Sequence, residues 1–317
     1  MINYYNTTSK KFLKKKSIYY FDGVNKIPII KKIPRFVRRK IDYAEMWGKQ
    51  WSIYQRTQFD SFTKTNLSKS RLEHILGFSV ERLKHKNVLE IGAGAGRFTE
   101  ILLKSKANVH VIDATKAVEY NYKNNKKVGV KFKIAQADLY NIPYKNNSFD
   151  YVICIGVLQH TPDTLRSLKS IWAKVKKGGY LIADHYQFTL GYYFSFLWIL
   201  RFFLKKIPTN STIKITKLIV KLFFPILWAF KDHKILFRLL RKIFPLGFNY
   251  FDRKDLSKKL HYQWTELDTH DALTDNYKRL LTKKSFSKML NQLGGKVELL
   301  SSLRPGGNGL ETRIKKI

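Results

Sequence analysis

Regularly spaced glycines follow a short apolar run in the first third of the chain. The run Val88–Ile91 includes Glu90, and Gly92, Gly94 and Gly96 come after it. Glycine permits a positive φ and lets a ligand approach the backbone without meeting a β carbon. The helix predicted directly after these glycines offers unpaired N–H groups at its first turn. These residues therefore predict a site for a nucleotide-like cofactor.

A second carboxylate, Asp113, ends the next apolar run, at about the twenty-residue separation at which a ribose diol finds its acceptor. The dinucleotide pattern G-x-G-x-x-G would need glycine at the position of Arg97, whereas this chain has its third glycine at Gly96. The spacing disfavours a nicotinamide dinucleotide. The alternative that Asp113 only caps the following helix stays open.

Three histidines could carry proton transfer. His160 follows the predicted fourth strand, His185 ends the fifth, and His270 directly precedes Asp271. The pKa of imidazole lies near neutrality, so a histidine can act as the base that removes a proton from a substrate hydroxyl. A carboxylate beside an imidazole would orient it and raise its basicity. We expect His160 to be the catalytic residue, and His185 or the His270–Asp271 pair are the next candidates. The alternative is that these groups only form hydrogen bonds within their own loops.

Apolar runs suited to buried strands alternate with helix-length segments from Val88 to Asp184. This alternation predicts a parallel sheet with right-handed crossovers. The carboxyl ends of parallel strands meet at one edge, which would bring the glycines, Asp113 and His160 together. Cys154 is the only cysteine, so an intramolecular disulfide, a cysteine zinc site and a paired redox motif are excluded. No metal site is predicted.

Four segments, in this order, resemble the class I S-adenosylmethionine-dependent methyltransferases, in particular the type 11-like ones. They are Glu90-x-Gly92-x-Gly94-x-Gly96, Gln-Ala-Asp-Leu at 136–139, the segment 149–160, and Lys-Lys-Gly-Gly at 176–179. The resemblance implies a Rossmann-like, doubly wound α/β fold with a seven-stranded sheet and an antiparallel last strand. It also implies S-adenosylmethionine as cofactor.

The resemblance further implies which residues hold that cofactor. Asp138 would meet the adenine amino group, and Leu139 would pack on the ring. The full set is Glu90, Gly92, Ala93, Gly94, Gly96, Asp113, Ala114, Asp138, Leu139 and Gly156.

The regions around this core differ in composition. Pro34-Arg35-Phe36-Val37 and Gln50-Trp51 resemble a leader found before the core in bacterial relatives, in which Trp51, Gln58 and Asp60 could close over the cofactor. We predict a basic, mobile arm (1–40), a helical leader (41–86), the cofactor-binding core (87–185), an insertion (186–262) and the C-terminal part of the core (263–317).

The insertion mixes aromatic and basic residues. Arg201, Lys214, Lys217, Lys221 and Lys231 interrupt its apolar stretches, so no uncharged run reaches the roughly 20 residues of a spanning helix. Helices broken by prolines 208, 225 and 245 would fit a lid over an apolar acceptor or an element on a membrane surface. A helical subdomain packed on itself is the alternative.

The formal charge is +37 from 60 basic and 23 acidic residues, spread along the 317 residues. Such a charge would attract an anionic membrane surface or nucleic acid. The amino terminus has no apolar stretch typical of a secretory signal, which predicts a cytoplasmic protein, or one peripheral on the inner face of the membrane.

We expect methyl transfer to a small-molecule, lipid-like or glycan-linked acceptor. An RNA methyltransferase is the first alternative, although Gly156-Val157-Leu158-Gln159 lacks the Asn/Asp-Pro-Pro-aromatic signature of base amino methylation. A non-catalytic, membrane-associated interaction protein on the same fold is the second, and it would be expected to have lost its cofactor carboxylates. The sequence indicates neither the acceptor, nor O-, N- or C-methylation, nor the oligomeric state.

Overall fold

The computed structural model describes residues 2–37, 42–190, 194–302 and 309–317, with the backbone alone at 42 and 43. The strands are β1 (Tyr5–Asn6), β2 (Lys11–Phe12), β3 (Lys14–Lys15), β4 (Tyr19–Phe21), β5 (Lys26–Ile30), β6 (Ile33–Pro34), β7 (Asn87–Ile91), β8 (Asn108–Asp113), β9 (Lys133–Gln136), β10 (Phe149–Cys154), β11 (Val175–Tyr186), β12 (Lys296–Ser301) and β13 (Gly309–Lys315).

The helices of the described part are α1 (Asp42–Ile53), α2 (Asp60–Thr63), α3 (Leu67–Leu76), α4 (Arg97–Lys104), α5 (Ala117–Asn125), α6 (Thr164–Trp172), α7 (Phe196–Leu204), α8 (Thr209–Ala229), α9 (Lys234–Ile243), α10 (Lys258–Thr274) and α11 (Lys283–Asn291).

A seven-stranded sheet in the order β12-β13-β11-β10-β7-β8-β9 forms the centre of the molecule. Strands β7 to β11 pair in parallel, and β13 runs antiparallel to both β11 and β12. The predicted doubly wound sheet with an antiparallel last strand is confirmed. The segment Gly306-Gly307-Asn308-Gly309 predicts a hairpin turn between the last two strands. Its first three residues lie outside the described residues, and Gly309 begins β13.

The central strands are largely apolar because helices cover both faces of the sheet. Val88 and Leu89 of β7 are both fully buried, and they belong to two different core clusters, one on each face. The alternation of side chains along the strand explains this division. The sheet is therefore buried on both sides, and only its edges and strand ends can present a site.

Residues 2–37, predicted to belong to a basic, mobile arm, pack against the central sheet in the structure. Tyr4 is 2% exposed, its hydroxyl donates to the Ile134 carbonyl at 3.2 Å, and its ring packs 5.3 Å from that of Tyr144. The backbone at Arg35 and Phe36 extends the sheet beyond β9 by pairing with Gln136. Burial of aromatic side chains against the core therefore orders a segment that is basic along its surface.

Helices α7, α8 and α9 form the insertion and are called the insertion helices below. Phe224, Phe237, Leu246 and Phe248 form a small core among them. Pro225 was expected to break a helix but lies inside α8, where the neighbouring Phe224 and the nearby Leu227 are buried. No helix in the described ranges combines the length and the apolar character needed to cross a bilayer.

Candidate active site

A cavity of about 1000 Å³ opens at the carboxyl ends of β7, β8 and β10. Its floor includes Gly92 and Gly96 of the segment 92–96, called the glycine turn below. Residues of α1, α9 and α10 form its other walls, including Trp51, Arg238 and Asp271. The volume lies at the upper end for small-molecule sites, which leaves room for two ligands.

The glycine turn needs glycine at each of its three positions. The φ angles of Gly92, Gly94 and Gly96 are +69°, +52° and +100°. A β carbon on Gly92 would lie 2.3 Å from a methyl of Val157, and one on Gly94 would lie 2.8 Å from the Trp51 ring. The turn is therefore fixed both by its backbone conformation and by close packing beneath the cavity.

Asp113 ties the glycine turn to the end of β8. Its Oδ2 accepts from the Gly94 N–H at 2.8 Å, and its Oδ1 accepts from the N–H and the hydroxyl of Thr115 at 2.8 and 2.7 Å. A carboxylate offers about four lone-pair positions, so these bonds leave one for a ligand. Asp113 lines the cavity, where burial raises the pKa of its carboxyl while its hydrogen bonds act in the opposite direction.

Glu90 lies behind the glycine turn instead of in the cavity wall. It is 3% exposed, and its Oε2 accepts from the Thr99 hydroxyl at 2.5 Å. Asn121 donates to that same hydroxyl at 2.9 Å. Burial raises the pKa of Glu90 to about 8. The motif carboxylate thus bonds to α4, the helix that follows the glycine turn, which differs from the expected direct contact with the cofactor.

The other expected cofactor residues divide into two groups. Asp138 is half-buried and accepts from the Tyr140 N–H at 3.1 Å, and Gly94 packs under Trp51; neither is in the cavity wall. The residues that do line it are Gly92, Ala93, Gly96, Asp113, Ala114, Leu139 and Gly156.

His160 lines the cavity and is paired with a carboxylate. Its Nδ1 lies 2.7 Å from Oδ2 of Asp275, and its ring packs on Trp47 with centroids 4.4 Å apart. Burial raises the pKa of Asp275, but His160, Lys278 and Arg201 outweigh burial and hold that pKa below its ordinary value. With Nδ1 engaged, Nε2 is the nitrogen that can take a proton from a ligand.

The other two histidines lie outside the cavity. His185 bonds the Tyr186 carbonyl through Nδ1 and Thr164 through Nε2, at 3.0 and 3.3 Å. His270 bonds Gln50 through Nδ1 at 2.7 Å. Burial lowers the pKa of both imidazoles to about 4. Both are thus neutral hydrogen-bonding groups of the core.

The expected His270–Asp271 pair does not form, because consecutive residues of a helix point in different directions. Asp271 lines the cavity and accepts from the Tyr186 hydroxyl at 2.9 Å, and Lys278 Nζ lies 3.5 Å from its other oxygen. One helical turn later, Asp275 meets His160 instead. Ligand atoms of His160, Asp271 and Asp275 lie within 4.8 Å of one another, a donor set for a divalent cation, but the Lys278 ammonium already supplies positive charge there.

Sequence reasoning missed several residues of this wall. Asp275 and Lys278 were not selected, and neither was Asp268, whose pKa burial raises to about 7. Asp268, Asp271 and Asp275 recur at helical spacing, a signal that would have placed them on one face of α10. Of the three leader residues, Trp51 and Gln58 line the cavity, whereas Asp60 accepts from the N–H groups of Ser68 and Lys69 and caps α3.

Comparison with known protein families identifies the domain that contains this site. Residues 89–183 match the family described as methyltransferase domain. The chain contains a methyltransferase domain. That family, like the motifs quoted above, implies S-adenosylmethionine as its cofactor, and the apolar Leu139, the glycine turn and the remaining lone pair of Asp113 fit such a nucleoside.

The sequence matches to known relatives cover only part of this chain and part of each relative. The tRNA U34 carboxymethyltransferase of Nautilia profundicola is 27% identical over 136 residues, 42% of this chain and 42% of that protein. The ubiquinone biosynthesis O-methyltransferase of Coxiella burnetii is 29% identical over 102 residues, 31% of this chain and 43% of that protein. The match therefore spans less than half the length of either relative.

Among solved structures, a SAM-dependent methyltransferase from Aquifex aeolicus aligns with 87% of this chain and 97% of its own, at 14% identity and a TM-score of 0.44.

Proposed function

We propose that this chain transfers a methyl group from S-adenosylmethionine to a small-molecule, lipid-like or glycan-linked acceptor. The observation that carries the proposal is the shared cavity: the glycine turn with Asp113 and the His160–Asp275 pair line the same space. The cofactor supplies an activated methyl group. The protein then has to align the acceptor with it and exclude water.

The residues of the chain have separable roles in this proposal. The glycine turn, Asp113 and Leu139 bind the nucleoside. His160 Nε2 accepts the proton of an acceptor hydroxyl, and Asp275 orients the ring and stabilises the imidazolium. The O-methyltransferase named among the relatives supports a hydroxyl as the acceptor group.

Titration calorimetry with S-adenosylmethionine and S-adenosylhomocysteine tests the proposal. Wild type should bind both, and Asp113→Ala should weaken binding about ten- to a hundredfold, because a charged hydrogen bond contributes about 1.5–3 kcal/mol. Asp60→Ala is the control, since Asp60 caps α3 outside the cavity wall. Binding of NADH in place of S-adenosylmethionine would overturn the proposal.

The insertion helices support a place for the protein on an anionic membrane surface, at the inner face of the membrane. Their exposed side chains are largely apolar, and basic residues lie beside them: Lys205 and Lys206 each lie over the Phe202 ring. Apolar residues at least one-third exposed on these helices are Phe196, Ile199, Phe202, Phe203, Leu218, Leu222, Ile226, Ile235, Leu236, Leu239 and Ile243. Burial of such groups at the lipid interface, with attraction of lysines to headgroups, favours peripheral binding.

RNA is the second candidate acceptor, favoured by the tRNA-directed relative and by the charge of +37. Phosphate-backbone binding would weaken steeply as salt rises, because each contact releases counterions. A non-catalytic role is the least supported, since Glu90, Asp113 and Asp138 are all present.

A further inference from the structure

Helix α9 contributes cationic and aromatic residues to the cavity wall: Lys234, Phe237, Arg238, Arg241 and Lys242. Its apolar residues lie in two different environments. Phe237 and Leu240 pack in the small core of the insertion, whereas Ile235 is 78% exposed and Ile243 is 61% exposed. The cationic face of α9 is therefore directed towards whatever enters the cavity.

The cations on this face have different surroundings. Arg241 lies over the rings of Phe237 and Phe251, at 5.7 and 5.1 Å from their centroids, and burial lowers its pKa. Lys234, Arg238 and Lys242 form no ion pair with an acid within the described ranges. By contrast, Lys231 at the same cavity pairs with Asp232 at 2.5 Å.

The three cations of the cavity wall lie on one helix. Positions 234, 238 and 242 are each separated by four residues, so they follow one line along the helix. The acids of the cavity wall lie on other elements: Asp113 ends β8, and Asp268 and Asp271 belong to α10. An anion at α9 would thus gain three positive partners on a single helix face.

We propose that Lys234, Arg238 and Lys242 form a subsite for a phosphate group of the acceptor. Phosphate suits these residues because guanidinium and ammonium groups bind its oxygens through charge-assisted hydrogen bonds. The outward apolar face of α9 places this subsite beside a surface suited to acyl chains. The acceptor class is then a phosphate ester with an apolar tail, and this refinement rests on the proposed function.

Binding to the purified full chain tests the subsite without turnover. Hexyl phosphate, hexanol and inorganic phosphate would be titrated by calorimetry into wild type, Arg238→Gln/Lys242→Gln and the control Lys284→Gln/Lys288→Gln. The control removes two exposed charges at the same four-residue spacing on α11, outside the cavity wall. Thermal melts by circular dichroism confirm that each variant is folded.

We expect wild type to bind hexyl phosphate about tenfold or more tightly than hexanol, since two or three charged contacts distinguish them. The double variant on α9 should lose this preference, and the α11 control should keep it. No preference in wild type, or an equal loss in both variants, would overturn the subsite.

Two further measurements extend the test. The first distinguishes a lipid phosphate from free phosphate, and the second distinguishes failure of the subsite from failure of the proposed function. Tighter binding of hexyl phosphate than of inorganic phosphate, together with stronger flotation on phosphatidylcholine vesicles when they contain phosphatidic acid, supports a lipid phosphate. Equal affinity for inorganic phosphate supports the subsite but overturns the apolar tail. S-adenosylhomocysteine binding in the same preparations is independent of α9, so its absence would count against the proposed function and leave the phosphate result intact.

Discussion

At the residue scale, two carboxylates of the site differ in their surroundings and so in their tasks. Asp275 is buried but faces His160, Lys278 and Arg201, which hold its pKa down and keep it ionised. Glu90 is buried against Thr99, and burial outweighs the opposing effects of Thr99 and Arg97, so its pKa rises to about 8. Asp275 is suited to stabilise an imidazolium, and Glu90 to bond Thr99 as a neutral group.

His160→Ala should lower kcat about a hundred- to ten-thousandfold if the imidazole takes the acceptor proton. Asp275→Asn should lower kcat in the same direction but less, because the base remains and only its orientation and charge stabilisation are lost. S-adenosylhomocysteine affinity should change less than about threefold in both, since neither residue contacts the nucleoside in the proposal.

Rates measured with labelled methyl groups and the isolated acceptor check this prediction. His185→Gln is the matched control, because that imidazole lies outside the cavity wall. An unchanged rate in His160→Ala would show that His160 does not take the acceptor proton, and Asp268→Asn, at another acid of the cavity wall, would be measured next.

Glu90 should make stability depend on pH. Its folded pKa of about 8 lies above its ordinary value of 4.5, so the folded chain holds this proton more tightly than the unfolded chain does. The contribution to stability is fully present below pH 4.5 and is lost as pH rises through 8. Glu90→Gln removes this loss and should raise Tm relative to wild type at pH 8 by about a few degrees.

The difference in Tm between Glu90→Gln and wild type should shrink towards pH 5, where wild-type Glu90 is protonated in the folded chain. Melting curves at several pH values measure this. A difference that stays constant with pH would show that the substitution acts through packing and not through the carboxyl proton.

At the element scale, what the sequence could predict depends on how local each interaction is. The strand Val88–Ile91 and the glycine turn follow from neighbouring residues, so composition and spacing were sufficient. Tyr4 becomes buried against Tyr144, which lies far along the chain, and nothing in the basic segment around Tyr4 indicates that contact. His160 likewise meets Asp275 only because the sheet brings the end of α10 beside the loop after β10.

The exposed aromatic residues of the insertion helices predict binding to an anionic membrane. Phe202 and Phe203 are each 60% exposed on α7. Phe202→Ser/Phe203→Ser should weaken binding to anionic vesicles by about tenfold or more, because burial of one such ring is worth about 1.5–3 kcal/mol. Vesicle flotation measures the change.

Ile18→Ser is the control for that pair, since Ile18 is 71% exposed but lies in the bend between β3 and β4, far along the chain from the insertion. Cofactor binding should be unaffected in all three proteins. If the α7 variant floats as well as wild type, the exposed rings do not contact the bilayer and belong to contacts with another partner.

At the scale of the whole molecule, charge and shape act on different steps. A net charge of +37 draws the chain towards any polyanion. The charge therefore affects the rate of encounter with a ligand but does not select one ligand over another. In the proposal, selectivity comes from a cavity whose wall includes both the glycine turn and the cationic residues of α9. The core could be predicted because its motifs are local, whereas the acceptor side depends on an insertion whose packing no short motif describes.

The contact between Trp51 and Gly94 has a kinetic consequence. Helix α1 lies across the glycine turn, and the side-chain amide of Asn124 donates to the carbonyls of both Gln55 and Ala95, at 3.2 and 3.1 Å. The leader and the turn are thereby fastened to each other. We expect the residence time of a nucleoside bound there to be set by the frequency with which α1 opens, and stopped-flow fluorescence of the indoles would record that rate directly.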